Sequence, residues 1–372
     1  MSGAHPPGAG AALVRFVALA EPGTDRAHRP RGAAAHEAWS LAVLDDRGEW
    51  AAFVTLAPAA PFLPGRGATT GDGAFSLLLA RGGAPAARFL ERLPANAVSA
   101  EGPLLRVRVG ESTLTAGRDH DLTLFELRLD ATRPGSRERV RGSLLFQIAN
   151  DDDGRRAPLP ASRPPGPAAG EAEEVWTLVA ADAIVRGTIV VEDRRGAVRH
   201  RAEIRGRGSI DHVAGTTDLR RSLRFAVRAS LFRDDFAVFA WRAVPSGSSA
   251  ARTLVVVAER GTPIASWDAP SAVPSGVDRS PERIGAIEAG PAARVLVDLG
   301  RAVERGPHYL RCRPEIEVRV SVPGRVEPLA LADRGLAESV FPPSFAGSLR
   351  ATRWRSDRSG AGIEPRPAGP RE

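Results

Sequence analysis

The chain has 372 residues, more than twice the commonest domain length of about 100–150 residues, so two packed bodies are expected. Hydrophobic residues make up 43% and charged residues 26%, a balance that excludes a wholly disordered chain. The formal charge of +7 rests on 51 basic residues, all of them arginine, scattered among the acids without interleaved aromatics, so nucleic acid is excluded as an expected partner.

Along the chain, Met1–Gly10 has no apolar core and Ala11–Ala20 is broken by Arg15, so no signal peptide is expected. Residues 1–10 and 355–372 read as Pro/Gly-rich tails. The segment Asp151–Glu174 runs from an acidic triplet through Arg-Pro-Pro-Gly-Pro and reads as a linker between bodies at 11–150 and 175–354. Apolar runs such as Leu254–Ala258 fall far short of the roughly 18–20 residues a spanning helix needs. The single cysteine, Cys312, excludes an internal disulfide and a cysteine-based zinc site. A reducing, cytoplasmic setting is expected, with peripheral membrane contact and the oligomeric state left open.

Helical periodicity is scarce, and Ala84–Leu93 is its best candidate. Leu105, Val107 and Val109 alternate with Arg106 and Arg108, which predicts a half-buried strand. In Leu122–Leu129 the apolar phase slips between Leu124 and Phe125, which suggests a bulge. Leu223, Phe225, Val227, Ala229 and Leu231 alternate, Arg233-Asp234-Asp235 supplies turn chemistry, and Phe236–Trp241 returns, which predicts a hairpin. Another turn is expected at Glu259-Arg260-Gly261, and Ile316, Val318, Val320 and Val322 alternate with Glu317, Arg319 and Ser321. Many short strands with almost no βα alternation predict an all-β chain of antiparallel barrels or sandwiches, one per body. Closed barrels of this kind can hold a small apolar ligand.

Most chemical motifs fail. Gly206-Arg207-Gly208 lacks the third glycine of a dinucleotide loop, Gly110-Glu111-Ser112 lacks the closing glycine of a nucleophile elbow, and the seven histidines show no metal-ligand spacing, so no cofactor or metal is expected. What survives is Gly206 to Gly215, where Asp211 and His212 interrupt a strand. The pair is either a general acid with an orienting neighbour or a turn carboxylate beside a surface histidine. Trp39, Trp176, Trp241 and Tyr309 read first as core or rim aromatics and second as ligand walls.

The order of segments resembles the carotenoid 1,2-hydratase (hydroxyneurosporene synthase) and AttH-like family. Glu37-Ala38-Trp39, the acidic turn Asp45-Asp46-Arg47-Gly48 and Pro61-Phe62-Leu63-Pro64 are similar to its opening E-W-W-Y strand, turn and P-F-x-P element. Val107–Gly110 and Asp119–Leu124 look like its next two strands, and Trp176 looks like the tryptophan that begins its second half. Gly206 to Gly215 looks like its G-x-G-Y-x-D-H-N-W-G signature, with Val213-Ala214 in place of Asn-Trp. Gly306-Pro307-His308-Tyr309-Leu310-Arg311 and Gly335-Leu336-Ala337-Glu338 look like its G-P-x-Y-x-R and G-x-x-E elements.

The resemblance implies two fused lipocalin-like, calycin-type antiparallel β-barrel or sandwich domains. It also implies cofactor-independent hydration or cyclisation of an isoprenoid or polyene double bond by a buried acid. On that reading Asp211 is the acid, His212 holds its geometry, Glu37 is the second acid, and Trp39, Phe225 and Tyr309 line the cavity. The alternative from the same resemblance is a non-catalytic carrier of a lipophilic molecule, which needs only an apolar lumen and a few polar anchors.

Overall fold

Successive side chains leave a pleated backbone on opposite faces, and the alternation in this chain is realised as strand almost throughout. The computed structural model describes residues 13–18, 36–60, 72–101, 105–119, 122–149, 173–216, 219–246, 248, 250–272, 286–298, 302–305 and 309–340. The first strands are β1 (Leu13–Ala18), β2 (His36–Asp45), β3 (Trp50–Ala59), β4 (Gly73–Arg81), β5 (Ala84–Leu93), β6 (Val98–Glu101), β7 (Arg106–Val109), β8 (Ser112–Asp119), β9 (Leu122–Thr132), β10 (Arg139–Ala149), β11 (Glu173–Glu192) and β12 (Val198–Gly215). They form one sheet in the order β5-β4-β3-β2-β12-β11-β10-β9-β8-β7-β6, with β1 added in parallel beside β11.

One helical turn, α1 (Leu219–Ser222), leads into β13 (Leu223–Arg233), β14 (Phe236–Pro245), β15 (Ala250–Glu259), β16 (Thr262–Ala272), β17 (Ala286–Glu288), β18 (Ala293–Asp298), β19 (Ala302–Arg305), β20 (Tyr309–Cys312), β21 (Glu315–Val320), β22 (Leu329–Arg334) and β23 (Leu336–Val340). These make a seven-stranded sheet, β16-β15-β14-β13-β23-β20-β19, and a four-stranded sheet, β17-β18-β21-β22. The protein is thus an all-β, almost entirely antiparallel structure of lipocalin-like type.

The first sheet curls around an apolar interior that includes Leu41, Val54, Phe75, Leu77, Val107, Leu127, Phe146 and Ile210. The second and third sheets close on Val227, Leu231, Val255, Val295, Ile316 and Val318. The outer face of the first sheet is covered by the seven-stranded sheet. β12 lies over β13, with Arg207 reaching the Asp234 carbonyl at 2.7 Å, Ser209 Oγ 3.1 Å from Ser230 Oγ, and Asp211 paired with Arg228. Partner numbers fall as those of β12 rise, so the two strands run in opposite directions across the seam. Further along, Arg311 of β20 reaches Thr55 of β3 and Ser76 of β4, and Arg88 of β5 reaches Glu304 of β19. Burial follows the cover: β12 alternates exposed and buried from Arg201 to Gly206 and is buried at every residue from Gly208 onward.

Two sequence expectations are corrected. Ala84–Leu93 is strand β5, because Gly82 and Gly83 (φ 59° and 85°) make a two-residue turn that folds it back on β4 with Arg81 opposite Ala84. Pro85 is tolerated because β5 is a sheet edge. β9 carries no bulge: its register with β8 and β10 is continuous, and Thr123 occupies the inward position that the apolar phase skips. The hairpins at 234–235 and 260–261 form as expected. The Gly206-Arg207-Gly208 glycines serve strand approach, since a Cβ on Gly206 would stand 2.1 Å from the Leu44 carbonyl oxygen of β2 and one on Gly208 2.8 Å from that of Ala42.

Residues 151–172 lie outside the described residues, as do Pro61–Pro64, residues 306–308 and both tails; Glu173 and Glu174 open β11. β11 and β12 hydrogen-bond to β10 and β2, so in the strand pairing the passage from the first sheet to the others falls at 216–222.

Candidate functional site

Asp211 and His212 are consecutive on β12, in unbroken register with Ser40 and Trp39 of β2, and therefore point to opposite faces of the sheet. His212 turns to the interior. Its Nε2 lies 2.9 Å from Glu37 Oε1, and its ring stacks on Trp39 with centroids 4.1 Å apart and planes 18° from parallel. Glu37, Trp39 and His212 thus form one buried group inside the first sheet.

Asp211 turns to the seam, where Arg228 of β13 donates to its carboxylate. The expectation that His212 orients Asp211 is corrected: Arg228 does so, because strand alternation separates adjacent residues. Phe225 is three residues from Arg228, hence on the other face of β13, in the core of the second body with Val227 and Leu231.

Lateral register builds the seam into two facing polar rows. On the first sheet, Asp211 is level with Ser40, Ser40 with Thr55, and Thr55 with Ser76. On the second, Trp241 is level with Arg228, Arg228 with Glu338, Glu338 with Arg311, and Arg311 with Glu304. Arg228 bridges Asp211 and Glu338. Arg311 donates to Glu338 Oε1 at 2.6 Å, Glu304 Oε2 at 3.1 Å, Ser76 Oγ at 3.1 Å and Thr55 Oγ1 at 3.2 Å. Tyr309 donates its hydroxyl to Glu304 Oε1 at 3.1 Å, and Arg311 lies 4.9 Å from the Tyr309 ring centroid. Asp211 and Tyr309 therefore stand at opposite ends of one buried network.

On either side of these rows the seam is apolar. One flank includes Ala38, Ala57, Trp176, Leu178, Phe239 and Trp241, and the other Ala42, Phe53, Leu78, Val303 and Leu336. Trp176 and Trp241 are tilted rings 4.2 Å apart, and Phe239 meets Trp241 edge-on at 5.8 Å. Trp176 is diagonal to Asp211 across the β11–β12 ladder, and Trp241 is directly beside Arg228. The aromatic wall nearest Asp211 is thus this group and not Trp39, Phe225 or Tyr309.

The network holds three carboxylates, Asp211, Glu338 and Glu304, on two guanidiniums, the partly buried Arg228 and the deeply buried Arg311, with Arg88 reaching Glu304 from the edge at 3.4 Å. Burial opposes ionisation of Glu338, yet Arg228 and Arg311 together hold it below the usual carboxylate range. Asp211 shares a single arginine. Burial dominates there, Arg228 only partly offsets it and Glu338 adds repulsion, so its pKa is pushed from 3.8 up to about 6. Burial, with Glu304 next to it, pushes the Tyr309 phenol up. Arg311 stays firmly protonated: desolvation works against its charge, but Glu338 and Glu304 outweigh it.

Arg228, Arg311, Glu304 and Glu338 were not among the sequence-predicted site residues. A signal existed for two of them, since Arg311 and Glu338 end the G-P-x-Y-x-R and G-x-x-E elements. A cleft of about 360 Å³, lined among others by Arg88, Arg133, Glu138, Arg199 and His200, lies elsewhere on the first sheet and includes none of the predicted residues. Among the described residues no three His, Cys, Asp or Glu side chains converge as a metal site, and no helix is long and apolar enough to cross a membrane.

No protein-family model matches the chain, and no curated protein matches its sequence. Solved structures do match. A putative AttH from Nitrosomonas europaea aligns over 91% of this chain and 99% of its own, with a TM-score of 0.52 at 15% identity. CghA, solved with Sch210972, aligns over 83% and 88%, with a TM-score of 0.50 at 14% identity. A kievitone hydratase from Nectria haematococca aligns over 83% and 89%, with a TM-score of 0.40 at 9% identity. The chain shares the AttH fold, and at these identities the likeness is one of fold.

Proposed function

We propose that the protein is a cofactor-independent hydratase or cyclase acting on a carbon–carbon double bond of an apolar isoprenoid or polyene, with Asp211 as the acid. The observation that supports this reading is a carboxyl 4% exposed, held by one shared arginine, with a pKa of about 6. Protonating an alkene needs an acid that still carries its proton near neutrality, and burial supplies this. A buried ionic row is also costly, and apolar side chains of similar volume often serve stability as well or better, so its presence at a sheet seam favours a chemical role.

The chemistry is balanced without a cofactor. The Asp211 O–H bond breaks and a C–H bond forms at one alkene carbon, leaving a cation on the other. The faces of Trp176 and Trp241 stabilise that positive charge through their ring quadrupoles. Water captures the cation in a hydratase, or a second double bond of the same molecule does so in a cyclase, and the proton then lost resets Asp211. The fold match to CghA, which is solved with Sch210972, agrees with a bound ligand as substrate.

The test is product formation by wild type and Asp211→Asn on a panel of acyclic terpenoids and carotenoids. Asn keeps size and polarity but delivers no proton, so turnover should fall by about 10²–10⁴-fold while the fold survives. Wild-type turnover in the variant refutes the mechanism. A carrier is the second reading, favoured by Trp39 and Phe225 pointing away from Asp211; retained binding with no conversion of any polyene would establish it instead.

A further inference from the structure

The reading of Asp211 as the acid leaves open what keeps it from being a permanently ionised partner of Arg228. A guanidinium dedicated to one carboxylate lowers that carboxyl's pKa by roughly one to three units, which would disable an acid. Arg228 is not dedicated: one nitrogen, Nη1, donates to Asp211 and the other, Nη2, to Glu338. Glu338 is in turn anchored from its far side by Arg311 at 2.6 Å and sits level with both arginines in the lateral register, so it cannot drift away from Arg228. We propose that Glu338 is a positioning residue that competes with Asp211 for Arg228 and so leaves Asp211 able to hold and release a proton.

This rests on Asp211 being the acid, and it assigns to Glu338 the control of that acid. Among the described residues, the charged and titratable groups acting most strongly on Asp211 are Arg228, Glu338 and His212. Its neighbours across the β11 and β2 ladders, Leu178 and Ser40, are uncharged. Of these groups Glu338 is the acid, and its charge raises the Asp211 pKa where Arg228 and His212 lower it. Glu338, between two arginines, stays ionised, and the spare proton of the row goes to Asp211 at its end.

The experiment is a carbon-13 carboxyl NMR titration of the full chain, with the Asp211 resonance assigned by its loss in Asp211→Asn and the Glu338 resonance by its loss in Glu338→Gln. In wild type, Asp211 should titrate near 6 and Glu338 well below it; Glu338 protonating first would overturn the proposal. In Glu338→Gln the Asp211 midpoint should fall by about one to three units, whereas Glu338→Asp, which keeps the charge, should leave it close to the wild-type value. An unmoved midpoint in Glu338→Gln would overturn the proposal. If loss of that charge prevents folding, Glu338→Gln combined with Arg311→Gln removes one charge of each sign and should lower the midpoint in the same direction. If neither folds, the wild-type order of protonation decides. Where turnover is found, the alkaline limb of its pH–rate profile should move down with the midpoint. None of the titrations depends on turnover, so an inactive protein in which Asp211 titrates as stated refutes the hydratase reading and not the role of Glu338.

Discussion

Replacing Asp211 by Asn should change the pH dependence of stability in a calculable way. The folded-state pKa of about 6 lies above the ordinary 3.8, so between those values the folded protein binds more protons at this site than the unfolded chain does. Raising the pH through that window therefore withdraws stability, and acidification restores it. The gap of about two units, at ~1.4 kcal/mol each, makes the withdrawn amount ~3 kcal/mol. Asn has no proton to lose and shows none of this. Glu338, whose pKa is held down by its arginines, contributes with the opposite sign, as stability present at neutral pH and lost on acidification, but it is common to both proteins. The quantity to measure is the difference in unfolding free energy, Asp211→Asn minus wild type, by urea denaturation at constant salt between about pH 4 and pH 7. It should rise in favour of the variant by ~2.5 kcal/mol over that range. A difference flat within ~0.5 kcal/mol, or one falling with pH, would refute the buried-acid description of Asp211.

Three other perturbations probe the frame around it. Gly206→Ala places a methyl 2.1 Å from the Leu44 carbonyl oxygen and should cost ~1–3 kcal/mol in chemical denaturation by forcing β12 from β2. Trp241→Ala empties the seam beside Arg228 and should cost ~3–5 kcal/mol by the same measurement. The proposed linker is tested by inserting a specific protease site into residues 163–170: because β11 and β12 pair with β10 and β2, the cut halves should co-elute in size exclusion under native conditions and separate only in denaturant.

Local chemistry makes some elements legible in the amino-acid sequence itself. The turn residues at Asp234-Asp235 and Arg260-Gly261 announce their hairpins, with Asp234, Arg260 and Gly261 taking the left-handed backbone such turns require. Ala84–Leu93 misled because Ala, Arg, Leu and Glu all favour helix, and the competing signal, Gly82-Gly83 followed by an edge proline, acts through a turn and a sheet edge. In Leu122–Leu129 a buried threonine imitated a phase slip.

The sequence singled out Asp211, Tyr309 and the group Glu37–Trp39–His212, and the ends of the G-P-x-Y-x-R and G-x-x-E elements pointed to Arg311 and Glu338, but the arrangement these residues make was not legible. Period-two alternation states that Asp211 and His212 face opposite ways, but both faces of this half of β12 are buried, so polarity along the chain does not say which face meets the barrel interior and which the seam. Arg228, Arg311 and Glu338 look in sequence like the solvent-facing members of alternating strands. The amino-acid sequence by itself determined the all-β character, the hairpins with clear turn chemistry and the parity of side chains along each alternating run, because these depend on neighbours a few residues apart. Only the tertiary structure decided that the polar positions of β2, β3, β4, β12, β13, β19, β20 and β23 come level in two facing rows, because lateral register between strands far apart in the chain is set by the packing of whole sheets.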